Sequence, residues 1–488
     1  MATNNLSVLF VASEAEGLIK SGGLADVAKA LPEALLNLQQ DVRITIPAYA
    51  GISQLKTAKM VLETQLDAWP HTAYKVWRTE LEKVPVYLID CAHYFDRPSM
   101  YAENNQAYED NGERFAFFSA ACLDMLPKLS FQPDIVHAND WHTGLVPFLL
   151  KHRYAAHPFF ANTRSVLSIH NAVFKGVFHY DDVQCLPEFH CRNVPDAAVS
   201  ATHITMLKAG VMNADKINAV SPTYADELQT ELGSHGMSWE FLQRSNDLVG
   251  ILNGCDYSAW HPETDPHIPA NFSATQESML EGKTVCKNAL QEKLGLNVSN
   301  VAMFGMVCRL TQQKGVHYLL PALDEFLKHD VQLVVVGTGD PVLAAQLHDV
   351  ATRHADKFVF VEAYDNQLAH MVEAGADFFL MPSEFEPCGL NQIYSMAYGT
   401  LPIVRGVGGL KDSVLDYDTN RDEATGFVFY QPTSQALLVL MLRALLLYAQ
   451  NPQEVRRVQL HAMQQDFCWN KAALEYLQLY RSALSKNH

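Results

Sequence analysis

Val331-Gln-Leu-Val-Val-Val-Gly337 is the stretch that decides the architecture. It is apolar almost without alternation, rich in β-branched residues, and stops at a glycine. A strand with one wet face would alternate apolar and polar side chains. A continuous run is what a strand buried on both faces of a parallel sheet requires. Working outward, comparable runs recur at Ser7–Ala12, Val42–Ile46, Val84–Ile89, Asp134–Ala138, Ser165–His170 and Lys216–Val220, then at Val301–Cys308, Lys357–Val361, Asp377–Met381, Leu401–Val404 and Gly426–Tyr430. Helical stretches such as Ala25–Leu38, Phe115–Leu126 and Gln392–Tyr398 lie between them. Strand–helix alternation of this kind predicts βαβ units and an α/β fold.

The alternation starts twice. Ser234–Trp260, with its turn dipeptide Asn253-Gly254, and the polar stretch His261–Ser278 separate the two halves. We therefore expect one doubly wound, Rossmann-like domain over residues 1–250 and a second over 251–465, followed by a terminal segment 466–488. The two domains are expected to face each other across a cleft with strand C-termini pointing inward, the place where open α/β sheets bind ligands.

Composition narrows the function. Apolar residues make up 48% and charged residues 18% of the 488, which builds a substantial core and excludes a disordered chain. The net charge is −18 and both halves are acidic, so neither reads as a nucleic-acid module. An anionic ligand would need local Lys and Arg to hold it against that field. Nine cysteines without a C-x-x-C argue against a disulfide framework or zinc knuckle and for a reducing cytoplasm. The N-terminus Met1-Ala-Thr-Asn-Asn5 lacks the basic region and apolar core of a secretory signal. The longest apolar stretch, Ala436–Ala449, is broken by Arg443 and falls short of the ~20 residues that span a bilayer, so no membrane role is expected.

Candidate chemistry gathers at predicted strand ends. Lys20-Ser-Gly-Gly-Leu-Ala-Asp26 follows the first strand and opens a helix; its glycines would let backbone N–H groups approach a phosphate, with an ordinary tight turn as the alternative. It is neither G-x-G-x-x-G nor a P-loop, which removes the main support for a nicotinamide dehydrogenase or a Walker enzyme. His137-Ala-Asn-Asp-Trp-His142 could present Asp140 and Trp141 to a sugar as a carboxylate and an aromatic wall; a strand end with a core Trp is the alternative. Ser168-Ile-His170-Asn171 offers a histidine to a ligand, or simply a structural one. Val307-Cys-Arg309-Leu-Thr-Gln-Gln-Lys314-Gly315 places two cations after an apolar strand, a pattern suited to a diphosphate. Glu384-Phe-Glu386-Pro-Cys-Gly-Leu390-Asn-Gln-Ile-Tyr394 joins a strand to a helix start, with Glu386 facing a sugar and backbone donors facing phosphate. Arg405-Gly-Val-Gly-Gly409 is another glycine-rich strand end, and Gly337-Thr-Gly339 a weak one. Asp416-Tyr-Asp418 fits D-x-D but reads as a surface loop, and no metal site is expected.

Taken together, in this order and spacing, these motifs resemble the bacterial glycogen synthase and plant starch synthase family of retaining GT-B glycosyltransferases. The likeness is near full-length, adding Ile251-Leu-Asn-Gly254, Tyr364, Gly408-Gly-Leu410 and Asp466-Phe-Cys-Trp469. The resemblance implies transfer of glucose from ADP-glucose, as co-substrate and with no cofactor, to the nonreducing end of an α-1,4-glucan such as glycogen, with retention of the anomer. It implies that Lys20, Gly22, Gly23 and Asp26 line the nucleotide or acceptor side, and that Asp140, Trp141, His170, Asn171 and Asn253 surround the transferred glucose. Arg309 and Lys314 would hold the diphosphate and Tyr364 pack on adenine. Glu386 matches the family's catalytic glutamate, and Cys388, Gly389 and Leu390 would contribute backbone donors. It also implies that helix Lys471–Leu484 crosses back onto the first domain. Related GT-B enzymes carry a second acid eight positions after this glutamate; here that position is Tyr394, as in glycogen synthases. Asn391 stands where the family has Thr, Asn139 where His is common, and His170-Asn-Ala-Val-Phe-Lys-Gly176 where His-Asn-Leu-Ala-Tyr-Gln-Gly is commoner. The competing expectations are a UDP-glucose-dependent glucosyltransferase of the same fold and a noncatalytic glucan-binding protein.

Overall fold

The computed structural model describes residues 5–66, 72–104, 106–190, 192 and 194–486. Met1–Asn4, the start of the segment inspected for a targeting signal, lie outside these. The chain forms two compact units, Met1–Asn253 with Trp469–His488, and Gly254–Cys468.

The first unit is built on strands β1 (Ser7–Val11), β2 (Asp41–Pro47), β3 (Lys59–Gln65), β4 (Ala73–Leu81), β5 (Val84–Asp90), β6 (Ile135–Asn139), β7 (Arg164–Ile169), β8 (Lys216–Ala219) and β9 (Leu248–Gly250). They form one sheet in the order β9-β8-β7-β6-β1-β2-β5-β4-β3. The first seven of that order pair in parallel, while β4 and β3 are antiparallel additions at one edge. Sequence reading predicts most of the parallel strands because they are buried runs; β6 is buried at every residue. It misses β3 and β4, whose side chains alternate between exposed and covered as an edge hairpin's should. Helices α1 (Gly23–Asn37) and α2 (Asn111–Lys128) bury apolar faces against this sheet, α1 through Leu24, Val27, Ala28, Leu31 and Leu35.

The second unit carries β10 (Ala302–Val307), β11 (Val331–Val336), β12 (Phe358–Val361), β13 (Phe378–Met381), β14 (Leu401–Arg405) and β15 (Phe427–Phe429). Its order is β12-β11-β10-β13-β14-β15, parallel throughout. Every residue of β11 is buried, as the opening run requires. Helices α3 (Gln276–Leu294), α4 (Asn366–Gly375), α5 (Asn391–Ala397) and α6 (Ser434–Gln450) belong to this unit. Asp416 departs from the surface-loop expectation: it is buried, and its Oδ1 accepts the Val428 N–H at 3.0 Å, closing the turn into β15. Asp418 pairs with Arg443.

Helix α7 (Trp469–Leu484) belongs to the first unit, where it packs on α1, β7 and β8. Its anchor is polar. His137, fully buried on β6, has Nδ1 2.8 Å from the Tyr480 hydroxyl and Nε2 2.7 Å from Ser168 Oγ. The Tyr476 hydroxyl lies 2.7 Å from the Asn218 side-chain amide on β8. Burial holds the His137 imidazole neutral, its pKa lowered to about 3. A neutral ring with two hydroxyl partners is stable in a core; one with a missing partner is not. Tyr480→Phe leaves one ring nitrogen of His137 unsatisfied and is expected to cost ~1–3 kcal/mol in urea denaturation. An unchanged midpoint would show that this bond does not hold the helix.

Candidate active site

In each unit the segments singled out from sequence lie at the carboxyl edge of the parallel sheet, because each follows a parallel strand. In the second unit Arg309 follows β10, Tyr364 follows β12, Glu386 follows β13 and Gly408 follows β14.

The centre of that edge is a small cluster around a buried carboxylate. The Glu386 carboxylate is buried, and its Oε2 accepts from Lys314 Nζ at 2.7 Å and Ser383 Oγ at 3.0 Å. Lys314 closes a 3₁₀ turn, Gln312–Lys314, and Gly315 follows with φ +71°. A Cβ at Gly315 would stand 1.9 Å from the Pro382 carbonyl oxygen, so only glycine lets the lysine turn sit against the β13 exit. The backbone before Glu386 is held from both sides: Gln313 O accepts the Glu384 N–H at 2.7 Å, Arg405 Nε donates to Ser383 O at 2.7 Å, and Arg405 also reaches Glu384 O. Glu384 faces elsewhere, taking the Tyr318 hydroxyl and lying 3.5 Å from His317 Nε2. Of the two acids, only Glu386 joins the cation. After it, Gly409 N donates to Glu386 O at 3.1 Å, and a Cβ on Gly408 would stand 2.0 Å from that same oxygen. The Gly408-Gly409 pair is thus the seat of the Glu386 loop.

The other predicted residues of this unit divide. Arg309 is exposed, with no hydrogen bond or ion pair among the described residues, so its guanidinium is available. Tyr364 is 88% exposed and presents a free ring face. Cys388 is buried, and Gly389 has φ +75°. Asn391 spends its side-chain amide on Val307 O at 2.9 Å, closing the end of β10. Burial pushes the Cys308 thiol up to about 12, so it is not a nucleophile. Ser383 lies outside every motif, and Arg405 and Gln392, whose amide donates to Cys388 O and Gly389 O at 3.1 Å, lie within motifs that gave them no role; only contact reveals these three.

In the first unit the glycine turn behaves differently from the expectation of free phosphate donors. The buried Glu14 carboxylate accepts the N–H groups of Ser21 and, at 3.2 Å, Gly22. Two of the amides are therefore occupied by the chain's own acid, whose pKa burial raises. A Cβ on Gly23 would meet nothing within 4 Å, so that side of the turn stays open. Lys20 Nζ bonds Asp26 Oδ1 at 2.7 Å and Glu16 Oε2 at 2.8 Å; burial disfavours its charge, yet the two acids outweigh that and raise its pKa.

Asp140 follows β6 with φ +55°, a strained position for a non-glycine residue. Its Oδ1 accepts the His170 N–H at 2.7 Å and lies 3.4 Å from the Asn171 N. Burial raises its pKa to about 7 against these bonds. His170 Nε2 lies 2.9 Å from Asn139 Oδ1, and Asn139 Nδ2 donates to Val11 O at 3.0 Å, which fixes the amide's orientation. Asn139 thus requires the proton on Nε2, leaving Nδ1 as an acceptor. Burial keeps this imidazole neutral, its pKa lowered to about 3. Asn253 is buried with Oδ1 unpartnered among the described residues. Trp141, expected as a sugar wall, is packed within the first unit. It is buried, stacked on His142 at 4.0 Å, met edge-on by Phe115 at 5.1 Å, and pressed by Gly176, where a Cβ would stand 2.3 Å from the ring. It is core.

Comparison with known proteins shows the family. The profile of the family described as "Starch synthase catalytic domain" matches residues 7–242, and that of "Glycosyl transferases group 1" matches 289–457. A protein named glycogen synthase from Vibrio parahaemolyticus is 81% identical over 485 residues, covering 99% of this chain and 100% of that one. Another of that name from Vibrio vulnificus (strain YJ016) is 78% identical over 484 residues, with 99% and 100% covered. Among solved structures, the catalytic domain of starch synthase IV from Arabidopsis thaliana, bound to ADP and acarbose, superposes with a TM-score of 0.89 at 31% identity, covering 99% of this chain and 100% of that one. Sucrose-phosphate synthase from Thermosynechococcus elongatus shares the fold, with TM-score 0.60 at 18% identity over 97% and 98% of the two chains.

The raised carboxyl pKa of Asp140 has a sign that can be measured. Between its ordinary 3.8 and about 7 the folded chain keeps a proton that the unfolded chain has released. Stability therefore falls as pH rises through that window, by up to about 1.4 kcal/mol per pH unit. Asp140→Asn keeps an oxygen for the His170 N–H and removes the titration. Chemical denaturation at about pH 5 and pH 7 should show a larger loss for wild type than for the variant. Equal losses would assign the titration to another group.

Proposed function

The chain belongs to the bacterial glycogen synthase and plant starch synthase family of GT-B glycosyltransferases, and on that premise we propose that it transfers glucose from ADP-glucose to the nonreducing end of an α-1,4-glucan with retention of the anomer. The observation that carries the reading is the Lys314–Glu386–Ser383 cluster at a strand tip, its carboxylate and hydroxyl buried and its lysine half-buried, with the exposed Arg309 guanidinium on the neighbouring strand exit.

The bond that breaks joins glucose C1 to a diphosphate oxygen. Its electron pair leaves with ADP, so negative charge grows on the phosphate and positive charge on the sugar ring. Arg309 and Lys314 answer the first: Arg309 can grip two phosphate oxygens, and Lys314 adds a point charge already fixed in place by Glu386. Glu386 answers the second. Its carboxylate orients glucose hydroxyls and offsets ring charge without forming a bond to C1. An ion-pair-like, front-face route then gives retention: the acceptor hydroxyl oxygen bonds C1 on the face the diphosphate leaves, and its proton passes to the departing phosphate oxygen. The exposed Tyr364 ring suits a nucleobase face.

The first unit carries groups of its own that suit a glucose ligand. His170 presents the neutral Nδ1 acceptor that Asn139 dictates, and Asn171 stands beside it. Asp140 acts through the backbone, holding the His170 N–H. The unpartnered Asn253 Oδ1 suits a sugar hydroxyl. Lys20 and Asp26, held to each other, fit the nucleotide or acceptor side. No cofactor enters this scheme. The eight described cysteines are free thiols, which fits a reducing compartment, and we place the reaction in the cytoplasm. None of the described helices is long and apolar enough to cross a membrane.

Incubation with glycogen and either ADP- or UDP-[¹⁴C]glucose, with label counted in polymer, tests the reading directly: ADP-glucose should label glycogen and UDP-glucose should not. Label from UDP-glucose alone would replace the donor, and no label from either would point to a noncatalytic glucan binder. Arg309→Ala and Lys314→Ala should each lower kcat by roughly 10²–10³ while leaving glycogen binding intact. Equal losses in kcat and glucan affinity would contradict a leaving-group role.

A further inference from the structure

The half-buried Trp260 ring lies between two others. On one face it stacks on His370 at 3.7 Å with 6° between planes; on the other it stacks on Tyr394 at 4.2 Å with 3°. The outer ring is pinned. His370 Nδ1 lies 2.7 Å from Asp265 Oδ2, and both residues are buried. The Tyr398 hydroxyl donates to the same Asp265 oxygen, while Asp265 Oδ1 accepts the His267 N–H at 2.8 Å. Tyr394 belongs to α5 and Tyr398 caps its end, four residues on, so both point from one face of that helix. The helix is thus gripped on one side through an aromatic stack and an aspartate.

Its first turn does the opposite work. Asn391 Nδ2 donates to Val307 O at 2.9 Å, two residues before Arg309. Gln392 Nε2 donates to Cys388 O and Gly389 O at 3.1 Å, immediately after Glu386. Any rotation of α5 would carry the Glu386 loop and the strand exit that bears Arg309 with it. We infer that Trp260, clamped between His370 and Tyr394, is a positioning residue that sets the register of α5 and through it the placement of Glu386 and Arg309. The inference rests on the proposed role of those two residues. It also gives the ring at position 394 a purpose. Tyr394 is the inner plate of the stack.

Plain core packing is the competing account, and it predicts a stability loss alone. The difference is steep, because displacement of a reacting group by about 1 Å costs ~10²-fold in rate. In the full-length chain, Trp260→Leu should lower kcat for transfer from ADP-glucose to glycogen by roughly 10–100-fold, with the KM for glycogen unchanged and amide hydrogen exchange raised over 386–392. Trp260→Phe, which keeps a stacking plane, should recover most of the rate. Tyr394→Leu and Tyr394→Phe form a second pair with the same expected order, and serve if Trp260→Leu fails to fold. The idea fails if either Leu variant, soluble and folded by near-ultraviolet circular dichroism, matches wild-type kcat, or if each Phe variant loses as much as its Leu counterpart. A wild type that is itself inactive with ADP-glucose would instead sink the reading of the reaction, and the hydrogen-exchange comparison would then still report whether Trp260 orders the Glu386 loop.

Discussion

Three backbone approaches that admit no Cβ fix the second unit's reactive edge. A side chain at Gly315 would stand 1.9 Å from Pro382 O, at Gly408 2.0 Å from Glu386 O, and at Gly409 2.2 Å from Cys388 O. Neighbouring strand exits are thereby drawn against the loop that leaves β13, closer than side chains on both segments would permit. Gly315 and Gly408 also take positive φ, so any replacement is strained as well as crowded. Everything chemical in this unit follows from that closeness. Lys314 meets Glu386 because Gly315 rests on Pro382, and Glu386 keeps its direction because Gly409 donates to its carbonyl.

The pair so formed is charged and mostly buried, which is costly unless every partner is supplied. Here Ser383 adds a hydroxyl to the same carboxylate oxygen. A buried ion pair contributes little net stability, so its value has to lie in fixed charge. A lysine held this way needs little reorganisation when negative charge develops near it, which is what a leaving diphosphate demands. Arg309 is the complement: exposed, and able to adapt to the ligand. On the proposed reaction, one preset cation and one adaptable cation would divide the labour of a single anion.

How much of this could be read from sequence depends on whether the signal was local. Val331–Val336 and its parallel neighbours were legible because burial on both faces leaves a continuous apolar run. The edge strands Lys59–Gln65 and Ala73–Leu81 were not, because one polar face makes them resemble loops. Glu386 and Lys314 could be named from their motifs, but Ser383 acts through its hydroxyl on the Glu386 carboxylate, and Arg405 and Gln392 through backbone carbonyls, contacts that no spacing encodes. Trp141 and Glu14 mark the limits in opposite directions. The aromatic beside a candidate carboxylate, read as a sugar wall, is packed against Phe115 and His142, contacts that tertiary structure alone supplies. Glu14 looked like nothing, yet it occupies the amides that a glycine turn seemed to offer a phosphate.

The first unit raises a different constraint, one of completeness. Its sheet is assembled from residues 7–250, yet two polar groups on that sheet, His137 and Asn218, find hydroxyl partners in Tyr480 and Tyr476. Both polar groups are fully buried, and a buried polar atom without a partner costs more than a whole hydrogen bond contributes. Replacing them with apolar residues would have let residues 1–253 close alone. Keeping them makes the core of the first unit depend on the last helix of the chain. The second unit is thus an insertion within the first in folding terms, and the first cannot satisfy its own interior until the segment beyond Cys468 has been delivered to it. Polar anchoring also selects the register of that helix: Tyr476 and Tyr480, four residues apart, face Asn218 and His137 together in only one rotation about the helix axis.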